Sequence, residues 1–189
     1  MYLHGMSPAL ARGVLKLFGW DVEGGIPDAL RKYVVIAAPH TSWWDFPLGI
    51  FARAATGRRI YFLGKDGLFK PPFGWVMRWL GGYPVDRSRH TNLVHEVISL
   101  FDTKDDFAIA LAPEGTRKKV EEFKTGFYFI AVGAGVPVIC VKMDYGQRNV
   151  VFSEPFYPTG NAEQDIRELW NHFHGVQGKR PGKGITVLH

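Results

Sequence analysis

Cysteine is nearly missing from this chain: Cys140 is the only one, so no disulfide can close within it and a reducing compartment suits it. Set inside VPVICV, that thiol reads as a small buried hydrophobe rather than a nucleophile. Long apolar runs are missing too. The longest, FYFIAVGAGVPVICV at 127 to 141, is shorter than the ~20 residues of a spanning helix and is broken by Gly133, Gly135 and Pro137. The opening MYLHGMSPALARGVLKLFGW has neither an adequate apolar h-region nor a small-residue cleavage site, so no secretory signal is expected. There is no G-x-S-x-G elbow to announce a serine nucleophile. His172 and His174, two apart, do not share a helix face, so no metal site is expected. The basic residues are dispersed and no nucleic-acid-binding motif appears, which argues against nucleic acid as a partner.

What remains is an ordinary globular composition, 46% hydrophobic and 22% charged over 189 residues, enough for one domain with a real core. A formal charge of +5 biases the surface toward anions such as phosphorylated metabolites, acidic carriers or anionic lipid. The chain divides into an amphipathic N-terminal segment (1 to 30), a core (31 to 160), and a C-terminal helix with the basic tail QGKRPGKG (161 to 189), all within a single domain spanning 1 to 189. Residues 8 to 18 have the period of a short amphipathic helix, able to pack on the domain or lie in a lipid interface.

Short runs rich in β-branched and aromatic residues at 33 to 38, 59 to 63, 107 to 112, 137 to 143 and 149 to 153 predict strands. Helices are predicted at 43 to 55, 73 to 80, 91 to 101, 124 to 135 and 161 to 174. The alternation reads as an α/β fold, a mostly parallel central sheet flanked by helices. In such sheets ligands bind beyond the carboxyl ends of strands. Two conspicuous segments, PHTSWWD and APEGTR, both follow a predicted strand directly.

On a regular helix, five positions leave two side chains roughly 140° apart, so His40 and Asp45 meet only if the chain turns between them. With His40 in the loop and Asp45 in the first helical turn, the carboxylate can take the Nδ1 proton and leave Nε2 as a general base. Thr41 or Ser42 could cap that helix, and Pro47 is tolerated in its opening turn. With no protein nucleophile in view, a substrate hydroxyl is the expected proton donor. Trp43 and Trp44 beside the base could wall an apolar pocket and exclude water, or one of them could simply fill the core. In the second segment Gly115 permits a tight turn, and Arg117 offers a planar fork for phosphate or carboxylate. Between the two segments GGYPVDRSR delivers Arg87, as a phosphate ligand or as the surface partner of Asp86. Lys124 follows closely, to touch phosphate or to stay solvated. LFKPPFGWVMRWLGG, 68 to 82, mixes aromatics with Lys70 and Arg78, as a segment at a headgroup boundary would.

In order and spacing, HTSWWD, GGYPVDR, EGTR and the following VPV resemble the four motif blocks of the glycerolipid acyltransferase family, which includes lysophosphatidic acid acyltransferase. The blocks cover residues 40 to about 140. The resemblance implies transfer of a fatty acyl group from a CoA or acyl-carrier-protein thioester to a lyso-lipid hydroxyl, with no cofactor or metal. It implies His40 as general base and Asp45 as its partner. It implies Glu114, Gly115, Thr116 and Arg117, with Arg87, as the site for the acceptor's phosphate and polar headgroup. A cytoplasmic enzyme held peripherally at the membrane surface would fit that chemistry. A thioesterase using the same base on water differs only in the acceptor, and a basic nucleic-acid-binding module is the remaining alternative. Amides of the turn after His40, or of the EGTR turn, are candidate oxyanion donors.

Overall fold

A computed structural model describes residues 6–85 and 90–184. It contains six α-helices, α1 (Pro8–Leu17), α2 (Asp45–Thr56), α3 (Gly74–Trp79), α4 (His90–Thr103), α5 (Gly126–Ala134) and α6 (Ala162–Asn171), among the described residues. Seven strands, β1 (Asp21–Glu23), β2 (Lys32–Ala38), β3 (Tyr61–Lys65), β4 (Gly82–Val85), β5 (Phe107–Leu111), β6 (Val138–Asp144) and β7 (Asn149–Phe152), form one sheet in the order β1-β7-β6-β2-β5-β3-β4. Every neighbouring pair is parallel except β6 with β7. The chain is a single α/β domain with a mostly parallel sheet, as the alternation of strand and helix signals predicts.

β2 shows why the sheet must be covered on both faces. Val34, Ile36 and Ala38 point into a cluster with Val97 and Phe101 of α4, Phe127 and Ala131 of α5 and Leu169 of α6. Tyr33 and Val35, alternating with them, point the other way onto Ala11 and Leu15 of α1 and Leu48 and Ala52 of α2. Each buried Val, Ile, Leu or Phe among them contributes about 1.5–3 kcal/mol by leaving water. Cys140 of β6 belongs to the first cluster, and burial pushes its thiol up to about 12, which makes it packing material.

Three departures from the sequence reading have physical causes. β7 runs antiparallel because only Tyr145 to Arg148 separate it from β6, far too few for a crossover. That turn is closed by Asp144, whose Oδ1 accepts the amides of Gly146 and Gln147 at 2.8 and 3.1 Å. The N-terminal segment also joins the sheet, through a three-residue β1 paired with β7 that carries no alternation long enough to be seen. Finally, the tail at 177 to 184 is a strap laid over the carboxyl end of the sheet: Tyr145 N donates to Gln177 O, Arg180 N to Thr41 Oγ1, and Val120 N to Gly184 O.

The topology positions the site. β6, β2 and β5 are adjacent and parallel, so the residues leaving their carboxyl ends emerge together: Tyr145 after β6, His40 after β2, Glu114 after β5.

Candidate active site

His40 and Asp45 do meet. His40 Nδ1 sits 3.2 Å from Asp45 Oδ2, with the imidazole 21% exposed and the carboxylate fully buried. The bend between them is held by the carboxylate itself, whose Oδ2 accepts the amides of Thr41 and Ser42, each at 2.7 Å. This corrects the expectation of a Thr41 or Ser42 cap. Asp45 opens α2 and Trp44 occupies the cap position without a side-chain bond, while Ser42 Oγ only accepts the Trp44 amide at 3.3 Å. The carboxylate at a helix start is also favoured by the helix dipole. Because Thr41 and Ser42 amides are committed to Asp45, they are not free to stabilise an oxyanion.

Asp45 Oδ1 accepts a further bond, from the Tyr145 hydroxyl at 2.8 Å. Burial alone would raise the carboxyl; bonds from His40, the Ser42 amide and Tyr145 outweigh it and hold Asp45 below the ordinary carboxylate range. The same contact, with burial first, pushes the Tyr145 phenol upward.

The second segment is joined to the first through Glu114. Glu114, fully buried, accepts the backbone N–H of His40 at 2.7 Å. Its carboxylate therefore underlies the base rather than facing outward. Gly115 has φ +66°, and a side chain there would run into Lys124, whose Cδ lies 2.7 Å from the ideal Cβ position. Lys124 thus lies across the EGTR turn, and its amide donates to Pro113 O at 2.7 Å. Thr116 Oγ1 accepts the Lys118 amide at 3.3 Å, closing the same turn.

Arg117 reaches back to the first segment. Its guanidinium carbon is 3.8 Å from the centre of the Trp43 ring, and its buried Nε has no hydrogen-bond acceptor. Both indoles are exposed, Trp43 at 69% and Trp44 at 63%, so neither fills the core. Lys179 of the strap lies 4.7 Å above Trp44. The structure therefore brings His40, Trp43, Trp44, Asp45, Glu114, Gly115, Thr116, Arg117 and Lys124 to one end of the sheet. Arg87 lies outside the described residues.

Sequence reasoning missed Tyr145 and the strap. Tyr145 sits in a turn with no motif around it, and a Gly/Lys/Arg/Pro tail has the composition of a solvated one. The usable signal was a short βturnβ spacing after a third buried strand.

Comparison with known proteins agrees with this geometry. The Acyltransferase family model matches residues 22–144. The chain is 32% identical over 185 residues to the 1-acyl-sn-glycerol-3-phosphate acyltransferase of Escherichia coli (strain K12), covering 87% of this chain and 74% of that protein. It is 26% identical to the enzyme of that name from Haemophilus influenzae, covering 87% and 75%. The fold is also similar to the crystal structure of the 1-acyl-sn-glycerophosphate (LPA) acyltransferase PlsC from Thermotoga maritima, with a TM-score of 0.57, 22% identity, and coverage of 89% of this chain and 78% of that one. With a family match over well over half its length and the PHTSWWD and APEGTR segments gathered at one end of the sheet, this chain belongs to the Acyltransferase family and is an enzyme of acyl transfer.

Proposed function

We propose that the enzyme moves a fatty acyl group from a CoA or acyl-carrier-protein thioester to the free hydroxyl of a lysophospholipid such as lysophosphatidate. The observation that carries this reading is the 3.2 Å approach of His40 Nδ1 to a fully buried Asp45 carboxylate, which leaves Nε2 as the ring nitrogen to act as base. Nε2 takes the hydroxyl proton as the oxygen attacks the thioester carbonyl; the new C–O ester bond forms, the C–S bond breaks, and the departing thiolate takes the proton back from the imidazolium. Asp45 holds the ring and stabilises its charged form during the step. No cofactor or metal is invoked, because the thioester is already an activated donor and the base is supplied by the protein.

Arg117 is the anion ligand of this proposal. Its buried, acceptorless Nε and its seat on the Trp43 ring prepare a guanidinium for the acceptor's phosphate, with Lys124 beside it and Arg87 as a further cation. Gly115 and Thr116 shape that turn, and Glu114 fixes His40 from below. Trp43 and Trp44 form an apolar rim for the acyl chain.

No helix among the described residues is long and apolar enough to cross a membrane. Leu68, Phe73 and Trp75 are exposed together beside the exposed Lys70, and Leu17 and Phe18 extend from the end of α1. These residues suit peripheral docking on an anionic phospholipid surface at the cytoplasmic face.

The test is release of free thiol from an acyl-CoA or acyl-carrier-protein thioester by the purified protein. Release that requires added lysophosphatidate, and that falls by a factor of about 10² or more in His40→Ala with an unchanged melting temperature, is the expected result. A wild-type rate in that variant would remove His40 from the chemistry; release without any acceptor would make the protein a thioesterase.

A further inference from the structure

We infer that Tyr145 is a third, positioning member of the His40–Asp45 pair, fixing through its hydroxyl the plane of the carboxylate that aims the imidazole. The inference rests on the general-base reading of His40.

A buried carboxylate has two chemically equivalent oxygens, and only one can serve His40. On Asp45 the division is complete: Oδ2 takes the Thr41 amide, the Ser42 amide and the imidazole, while Oδ1 takes the Tyr145 hydroxyl at 2.8 Å. The two amides are bound to the same short loop as the imidazole and move with it. Among the described residues, Tyr145 is the hydrogen-bond partner that reaches the carboxylate from elsewhere in the chain, a hundred residues away, and it ties Asp45 to the end of β6 as Glu114 ties the His40 backbone to the end of β5.

Tyr145 is itself held on four sides. It follows β6 directly in the tight turn closed by Asp144. Its amide donates to Gln177 O of the strap at 2.8 Å. Its ring meets Trp20 edge-on, with centroids 4.8 Å apart at 86°. Lys179 stands 5.7 Å from the same ring. A residue needed only to fill space would not require its hydroxyl aimed at one oxygen. A phenol is suited to the task, since its proton stays in place across the working range and donates to the ionised carboxylate without competing for the proton that His40 carries.

Tyr145→Phe keeps the ring and its Trp20 contact and removes only the hydroxyl. The expected result is a kcat lowered about tenfold, the smaller end of the range seen when a partner orienting a functional imidazole is lost, with KM for thioester and lyso-lipid both within about twofold. The decisive measurement is the double-mutant cycle with Asp45→Asn: if Tyr145 acts through Asp45, adding Tyr145→Phe to Asp45→Asn costs nothing further. Losses that multiply, an unchanged kcat in Tyr145→Phe, or a Tyr145→Phe protein that no longer melts cooperatively would each overturn the inference, the last by making the hydroxyl a support of the fold. His40→Ala, assayed alongside, separates the two ideas. An inactive His40→Ala beside an unimpaired Tyr145→Phe rejects the positioning role alone, whereas an active His40→Ala rejects the base itself.

Discussion

The backbone amide of His40 donates to the carboxylate of Glu114, 74 residues later, at 2.7 Å, and this bond makes the two motif segments one structure. Glu114 is wholly buried, so the role its position supports is architectural: it fixes the height of the imidazole above the sheet.

Glu114→Gln retains an oxygen acceptor at the same reach, whereas Glu114→Ala leaves the part-buried His40 amide without this partner. Glu114→Ala is expected to lose about 1–3 kcal/mol of unfolding free energy, with Glu114→Gln keeping more of both stability and activity. Urea titration of the three proteins checks the order; equal stability in all three would show that the bond is not holding the segments together.

Arg117→Lys keeps the charge but loses the planar seat on Trp43 and the fork of donors. KM for a lyso-lipid bearing phosphate should rise about tenfold, the equivalent of one charged hydrogen bond, while KM for an uncharged monoacylglycerol stays put. A rise with both acceptors would move Arg117 from phosphate recognition to general support.

Asp45 bears on acid stability. Its folded carboxyl is held below the ordinary 3.8, so the stabilisation it supplies is fully present above that value and is lost as pH falls through the lower, folded value. The stability difference between wild type and Asp45→Asn should therefore be constant at neutral and mildly acidic pH and shrink only in strong acid. Urea midpoints measured across a pH series give the comparison, and a difference that already fades near neutrality would contradict the depressed carboxyl.

Asp165 of α6 provides a control away from the chemistry. Buried in the first turn of that helix, it accepts Tyr128 OH at 2.8 Å, the Thr159 amide at 2.7 Å and Thr159 Oγ1 at 2.8 Å. Asp165→Ala strands three donors and should cost about 3 kcal/mol, while kcat per folded molecule is unchanged. Lost activity with intact stability would tie this network to the site.

The fold was legible where the signal was periodic or uninterrupted. Unbroken runs such as YVVIAA marked the buried parallel strands, and motifs placed directly after them marked the crevice. What escaped notice depends on contacts between distant residues. The pairing of three-residue β1 with β7 is decided by the partner strand, and the antiparallel turn of β7 by a four-residue spacing. Cap chemistry was misplaced because Asp45 answers both the imidazole and its own loop amides, a competition that spacing alone does not resolve. Tyr145 is ordinary in sequence, and Glu114, though marked by its motif, is placed beneath the His40 backbone only by strand order. The exposed Trp43 and Trp44 show the converse, since large aromatics are more often interior, and their partners Arg117 and Lys179 come from other segments.

The strap reaches the site where two of its residues, Gly178 and Gly184, have no side chain. Gly178 abuts Thr41, where an ideal Cβ would fall 2.5 Å from the methyl carbon, and Gly184, at φ +76°, would place one 2.9 Å from both Thr41 Cγ2 and Glu114 Oε1. A methyl group at either position would collide with the loop that carries His40 or with the carboxylate that holds it, so the nearness of the C-terminal segment to the base is set by two residues that lack a Cβ.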